Sequence, residues 1–320
     1  MASAPPSDPG TPLLGLDIGG TKALAVVVDP AGADGPTILE RRRHVGEPTP
    51  RGLAALVAEL AAEHGAPAAV GVGIAGYVGL DGIARTSAHV GVLVGVDVAG
   101  DLRSLLGLPV VADNDANCAA FAAMAAPGAG AQDLVTVTFG TGIGAGVVVG
   151  GRLVRGAHGF AGEPGHAVVD PSGPECPCGQ RGCWERYASG SGLALLVRSA
   201  IDSGTLDPAP FAHAAEPTGE ELMAAARAGD GGAMSVVADF SRWVAVGLGQ
   251  IINLLDPEVV FLGGGLVGSA DMWLAAVQAR LDANPTVARR GVRVEVVPWG
   301  VEAGAVGAAL LANRLQHDGA

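Results

Sequence analysis

Between Glu163 and Glu185 the chain reads E-P-G-H-A-V-V-D-P-S-G-P-E-C-P-C-G-Q-R-G-C-W-E, and His166, Cys176, Cys178 and Cys183 follow one another as H-x9-C-x-C-x4-C. One imidazole and three thiolates form a closed tetrahedral donor set that suits Zn²⁺ and leaves no position open for a water. Glycines and prolines between the ligands let a short loop fold around one ion. The competing reading is a pair of disulfides in a secreted protein. Cys176 and Cys178 are too close in sequence to pair easily with each other, and no export signal precedes them. The expectation is therefore a structural zinc knuckle over residues 163–185. Glu163 and Glu185 bracket it, so folding the knuckle also positions two carboxylate acceptors, an arrangement suited to a polyhydroxylated ligand.

A length of 320 residues accommodates two domains of ordinary size, each with its own core. Only 16% of the residues are charged, and Ala, Gly and Val dominate, as in α/β proteins with buried strands. The net charge of −13 argues against nucleic acid or an anionic membrane as the main partner. Residues 1–12 carry neither a basic start nor an apolar run and read as a disordered tail rather than a signal peptide. No segment approaches the ~20 apolar residues that span a bilayer. The chain reads as cytoplasmic, which favours thiolate–metal chemistry over disulfides.

Of the 19 Lys and Arg residues all but Lys22 are arginine, and Lys22 sits in a glycine turn. Leu13 to Asp29, L-L-G-L-D-I-G-G-T-K-A-L-A-V-V-V-D, reads as two apolar strands joined by that turn. The β-branched run Val26-Val27-Val28 makes it a hairpin, not the strand–loop–helix unit of a dinucleotide fold. Gly19 and Gly20 leave backbone N–H groups bare, Thr21 offers a hydroxyl and Lys22 a charge, so together they can cradle phosphates. Asp17 is placed to hold Mg²⁺, directly or through water. Alone, this is also the pattern of an ordinary glycine hairpin. Leu134 to Val149 repeats the design around Gly140-Thr141-Gly142, which points to a duplicated domain with one phosphate loop per half. A nucleotide between facing loops is the geometry of phosphoryl transfer.

Residues 113–117 read D-N-D-A-N, where a strand led in by Leu108-Pro109-Val110-Val111 meets a helix over Ala116–Ala126. Asp113 and Asp115, two apart in an extended segment, are expected to share one face. Asp115 reads as a general base at a strand's carboxyl end, with helix capping by Asn114, Asp115 or Asn117 as the competing reading. Cys118 reads as a small core residue. Further helices are expected over Arg51–Glu63, Asp97–Leu106, Gly190–Ser199, Gly219–Ala228, Ser235–Leu255, Ala270–Asp282 and Ala303–Leu315. Strands are expected over Ala69–Ala75, Val259–Leu262 and Arg293–Val297. Gly76-Tyr77-Val78-Gly79 reads as a turn. Gly263-Gly264-Gly265, at the entry to a helix, can accept a ribose or α-phosphate, or form a plain flexible turn.

D-I-G-G-T-K, D-N-D-A-N, G-T-G-I-G-A-G, E-P-G-H and C-P-C-G-Q-R-G-C-W-E, in this order, resemble the ROK family of sugar kinases over Leu13 to Leu315. The cysteine box is the most specific of these pieces. The resemblance implies an actin-like, ribonuclease-H-like duplicated ATPase fold of two α/β domains with a central sugar cleft. Its expected boundaries are 13–116 plus 303–320 for a smaller N-terminal domain, to which the last helix returns, and 117–302 for a larger one. It further implies Asp115 as catalytic base, Asn114 as a sugar-hydroxyl ligand, and Glu163 and Glu185 as carboxylates that grip ring hydroxyls. His166 is implied as both zinc ligand and sugar contact, and Gly76 as a backbone contact near the sugar. Asp17, Gly19, Gly20, Thr21, Lys22, Gly140, Thr141, Gly142, Gly144, Gly146, Gly263, Gly264 and Gly265 match the phosphate and adenosine loops.

The implied reaction is transfer of the γ-phosphate of ATP, with Mg²⁺, to the 6-hydroxyl of a hexose, D-glucose first. Alternatives are an N-acylhexosamine, fructose or cyclitol acceptor, or a donor other than ATP. The chain departs from the family at Thr86-Ser87-Ala88-His89-Val90-Gly91 and at Pro164, both near the sugar. A ROK-type repressor carries a DNA-binding domain in front, and here only about a dozen residues precede the first strand. A homodimer or homotetramer is expected.

Overall fold

Two five-stranded sheets carry the chain, and their strands run in the same order: third, second, first, fourth, fifth. The computed structural model describes residues 10–19, 22–32, 35–87, 90–126, 130–211 and 217–318, with side chains to 314. The first half holds β1 (Leu13–Ile18), β2 (Lys22–Asp29), β3 (Thr37–Val45), α1 (Pro50–His64), β4 (Val70–Ile74), β5 (Tyr77–Val78), β6 (Ala84–Thr86), α2 (Val98–Leu106), β7 (Val110–Asn114) and α3 (Asp115–Met124). The second begins with β8 (Leu134–Phe139), β9 (Ile143–Val149) and β10 (Arg152–Leu153), then α4 (Glu185–Ala188), α5 (Gly190–Asp202), α6 (Gly219–Arg227) and α7 (Gly231–Leu255). It ends with β11 (Val259–Gly263), α8 (Ala270–Asp282), α9 (Pro285–Ala288), β12 (Arg293–Val296) and α10 (Ala303–Asp318).

The chain divides into two compact units: Met1–Thr136, Gly146–Gly162 and Val297–Ala320 form one, Val137–Ala145 and Glu163–Val296 the other. In the first unit β1 pairs antiparallel with β2 and parallel with β4, and β4 pairs parallel with β7. The apolar runs of these strands bury Leu14, Leu16, Ile18, Val72 and Ile74 against Leu53, Val57 and Leu60 of α1 and Val98 and Leu102 of α2. On the other face α10 lies flat on the sheet. A Cβ on Gly15 would collide with the Ala305 carbonyl, and one on Gly71 with the Ala308 carbonyl. Gly307 brings α10 just as close to the Cys118 carbonyl of α3. Small residues at these contacts let backbone pack on backbone, where any side chain would hold the layers apart.

In the second unit the core is aromatic. Phe139, Trp184, Phe240 and Trp273 are all fully buried, and Phe139 meets Trp184 edge to face with centroids 5.8 Å apart. Phe139 also packs on Trp273 at 6.0 Å, and Trp273 on Phe240 at 5.7 Å. Such edge-to-face pairs satisfy the ring quadrupoles as well as burying area.

Two expectations change, and one strand is unforeseen. Gly76–Gly79 is not a plain turn, because Tyr77 and Val78 form β5 and pair antiparallel with β6. Gly76 makes this possible at φ +130°, a conformation that side chains rarely adopt. Asp113 and Asp115 do not share a strand face, because β7 ends at Asn114 and Asp115 already opens α3. β3, for which the sequence raised no expectation, is an edge strand whose residues alternate between exposed and half-buried. Two of its arginines meet carboxylates, Arg41 with Glu302 at 2.9 Å and Arg42 with Glu63 at 2.8 Å. Among the described residues no helix is long and apolar enough to cross a membrane.

Candidate active site and metal centre

In the first unit the parallel strands β1, β4 and β7 all end at the same edge, so Asp17, Gly76 and the head of α3 follow from their register. Asp17 pairs with Gly73, and Gly73 with Asp113. The Gly19 N–H is not bare as expected: it donates to the Lys22 carbonyl at 3.0 Å and closes the β1–β2 turn, so it is not open to a phosphate in this structure. Gly20 and Thr21 lie outside the described residues, and Lys22 is exposed at the start of β2. At the head of α3 the Asn114 side chain accepts from the N–H groups of Ala116 and Asn117 at 2.9 and 3.0 Å. That is an N-cap, as one sequence reading allowed, and it leaves Asp115 as the first helical residue. The Asn114 amide also donates to the Gly76 carbonyl at 3.0 Å, tying the two residues matched to sugar contacts to each other.

Asp115 is seated from below. A Cβ on Gly73 would come within 3.5 Å of the Asp115 Cα and of the Cys118 Sγ. The burial of Asp17, reinforced by the nearby Asp115 charge, raises the Asp17 carboxyl to about 7. Burial and the charges of Asp113, Asp17 and Asp115 push the Cys118 thiol well up, so it stays neutral in the core.

In the second unit the β8–β9 turn closes through the Gly140 N–H, which donates to the Gly142 carbonyl at 3.0 Å. Glu185, the first residue of α4, reaches this turn: its Oε2 accepts the Ile143 N–H at 3.0 Å. A Cβ on Gly142 would collide with that carboxylate. The Gly190 N–H donates to the Gly140 carbonyl at 2.8 Å and the Ser191 N–H to that of Thr141 at 3.2 Å. The second glycine turn is thus tied to both a proposed sugar carboxylate and the start of α5. Gly144 and Gly146 lie within β9 rather than in the turn. In the first unit Gly146 lets β9 approach Ala116 and Ala120 of α3, a packing task. Gly264, at φ +83°, packs against the backbone of Phe139, while Gly265 faces open space.

Glu163 precedes a single 3-10 turn, Pro164–His166, and Gly165 fits against the Ile143 carbonyl only because it lacks a side chain. The ligand atoms of His166, Cys176, Cys178 and Cys183 all lie within 4.8 Å of one another. Cys176 Sγ is 3.8 Å from His166 Nδ1, and Cys178 Sγ is 3.6 Å from Cys183 Sγ. A tetrahedral Zn²⁺ with Zn–S of about 2.3 Å sets its sulfurs about 3.8 Å apart, so the donor set fits the ion. The four cysteines are free thiols, which removes the disulfide alternative. Burial, with the neighbouring Cys178 and Cys176 thiols, pushes the Cys183 thiol up to about 12, whereas Cys178 is lowered, so Cys183 is the thiol that a cation would have to ionise.

The knuckle rests on α7 through residues that the sequence did not single out. Trp184 donates its Nε1–H to the Trp243 carbonyl at 2.7 Å, and its indole occupies the place a side chain on Gly247 would fill. Tyr187 stacks on Trp243 at 4.0 Å and donates to Asp170 Oδ2 at 2.9 Å. Arg155 also went unnoticed: its Nε stands 2.8 Å from Asp113 Oδ2. No local pattern marks it, because its partner is far away in sequence.

The model of the ROK family matches residues 13–315. A glucokinase of Streptomyces coelicolor is 33% identical over 289 residues, covering 83% of this chain and 85% of its own. An N-acetylmannosamine kinase of Citrobacter koseri is 36% identical over 311 residues, covering 94% of this chain and 98% of its own. Among solved structures, a ROK family glucokinase from Streptomyces griseus in complex with glucose and AMPPNP is similar with a TM-score of 0.78 and 31% identity, over 95% of this chain and 99% of that one.

Proposed function

The chain belongs to the ROK family, and from that premise we propose that it transfers the γ-phosphate of ATP to the 6-hydroxyl of D-glucose. Its fold is the actin-like α/β fold of the family's sugar kinases, and its reaction is ATP-dependent phosphorylation of a hexose. The observation that supports phosphoryl transfer is the nearness of Asp115 to Asp17 in one unit, and the choice of glucose rests on the similarity to glucokinases. A carboxylate able to take the hydroxyl proton stands beside the carboxylate of the phosphate turn, close enough to raise it.

Asp115 accepts the proton of the attacking hydroxyl, and α3 holds it in place through the Asn114 cap. Asn114, the Gly76 backbone, Glu163, His166 and Glu185 bind the sugar. Asp17, Gly19, Gly20, Thr21 and Lys22, the Gly140–Gly142 turn and Gly263–Gly265 bind the nucleotide. Mg²⁺, when bound, neutralises phosphate charge, and Asp17 is the residue that would hold it. His166, Cys176, Cys178 and Cys183 would hold a structural Zn²⁺. Nδ1 of His166 faces the cluster, and in this reading its other ring nitrogen is the one that donates to a sugar hydroxyl. Assembly as a homodimer or homotetramer in the cytoplasm completes the proposal.

A panel of sugars in a coupled ADP-release assay tests the acceptor. Glucose is expected to give the highest kcat/KM, with mannose and glucosamine lower and 6-deoxyglucose inert. The second reading, an N-acylhexosamine acceptor, is favoured by the 36% identity to an N-acetylmannosamine kinase over nearly the whole chain. An N-acylhexosamine at least tenfold better than glucose would decide for it. Sedimentation of the purified protein reads the assembly.

A further inference from the structure

Arg155, on the loop that leaves β10, has no part in the chemistry above. Its Nε and Nη2 converge on Asp113 Oδ2 at 2.8 and 2.7 Å. Asp113 is only 6% exposed, and its other oxygen is equally committed. Oδ1 accepts the Asn114 N–H at 2.7 Å and the Asn117 side-chain amide at 2.9 Å. Asp113 therefore fastens residues on both sides of Asp115. The backbone that carries Arg155 is itself held in place. The Val154 N–H donates to the Val147 carbonyl at 2.8 Å, and the Arg155 carbonyl accepts the Ala161 N–H at 3.1 Å.

We propose that Arg155 is a positioning residue for phosphoryl transfer, acting through Asp113 to fix the strand-to-helix step that presents Asn114 and Asp115. The proposal rests on the sugar-kinase reading for its chemistry, though not for its geometry. A buried carboxylate deprived of its cation either takes up a proton or draws in water. Either response changes what Asp113 offers to Asn114 and Asn117, and so loosens both anchors of Asp115. Misplacing a base by about 1 Å can cost on the order of 10²-fold in rate. The nucleotide turns are built from other residues and should not feel the change.

The test compares Arg155→Ala, Arg155→Lys and Asp113→Asn in full-length protein, well below each variant's Tm. In Arg155→Ala, kcat is expected to fall about 10- to 100-fold while the KM for ATP stays within about twofold. Arg155→Lys keeps the charge and loses the fork, so it should recover part of the rate. Millimolar guanidinium should restore part of the turnover of Arg155→Ala and none of Arg155→Lys. Hydrogen exchange at the amides of Ala116 and Asn117 should quicken in Arg155→Ala and in Asp113→Asn. If Arg155→Ala does not fold, Arg155→Lys is read in its place, with about a 3- to 10-fold loss of kcat expected. Wild-type kcat in the variant read, or unchanged exchange at these amides, overturns the proposal. If the wild type phosphorylates no sugar, the kinase reading falls by itself, and exchange alone decides whether Arg155 holds this step.

Discussion

Asp17 at the end of β1 and Asp115 at the head of α3 interact, and the Asp115 charge adds to burial in raising the Asp17 carboxyl to about 7. Two strands and a helix, far apart in sequence, are needed to bring these acids together. In the sugar-kinase reading one acid faces the phosphates and the other the hydroxyl. Bringing like charges together costs stability unless a cation or a proton relieves it.

That cost has a sign. The folded Asp17 carboxyl titrates near 7 rather than at 3.8, so the fold favours its protonated form. The stability this group contributes is fully present below about pH 4 and is lost as pH rises through 7. Asp17→Asn removes the loss, so its Tm relative to wild type should climb from pH 5 to about pH 7 and level off towards pH 8 in the absence of nucleotide and Mg²⁺. About 3 kcal/mol, two pH units' worth, is the upper bound on the change across that range. Scanning fluorimetry across that range reads it, and a flat difference would show that the carboxyl is not raised.

Asp115→Asn should abolish turnover while sugar and nucleotide still bind. Loss of a positioned general base typically lowers kcat by about 10²–10⁴-fold. The cap geometry at Asn114 stays intact in this variant and the like charge beside Asp17 is gone, so the Tm should hold or rise slightly at neutral pH. Wild-type turnover at saturating substrates would mean that Asp115 is not the base.

Freshly purified protein should contain one Zn²⁺ per chain by elemental analysis. Cys178 is the exposed cysteine of the set, so Cys178→Ser should weaken the metal with the least damage to the core. The KM for sugar should rise, because His166 and Glu185 are held by the knuckle and the helix that follows it, and the KM for ATP should move much less. Absence of stoichiometric zinc from the wild type would remove the metal reading.

Gly71→Ala should destabilise the first unit through α10. The added methyl meets the Ala308 carbonyl, a backbone atom that yields only if the helix lifts from the sheet. Overpacking of this kind typically costs about 1–3 kcal/mol. Thermal or urea denaturation reads the loss; Gly65→Ala, in open space but at φ +92°, controls for backbone strain alone. Equal stability of Gly71→Ala and wild type would mean that α10 is free to move.

The hairpins Leu13–Asp29 and Leu134–Val149 and the metal set of residues 166–183 were legible in the sequence, because each is complete within a short stretch. Apolar runs, glycines and thiol spacing carry their own geometry, and they suffice for a duplicated α/β chain with a zinc-type loop. The D-N-D-A-N cluster was legible as the junction of a strand and a helix and misread as a strand face. Which of Asp113 and Asp115 opens the helix depends on where β7 stops, and Asn114 decides that by capping α3. Tertiary structure then spends Asp113 on Arg155, 42 positions away, and leaves Asp115 at the helix head. In the same way Trp184 finds its place only against Gly247, and α10 only against the side-chain-free surface of Gly15 and Gly71. Charge pairs and close backbone contacts between distant segments leave no periodic trace in a chain. Their partners are chosen by packing, which exists only once the strands have aligned.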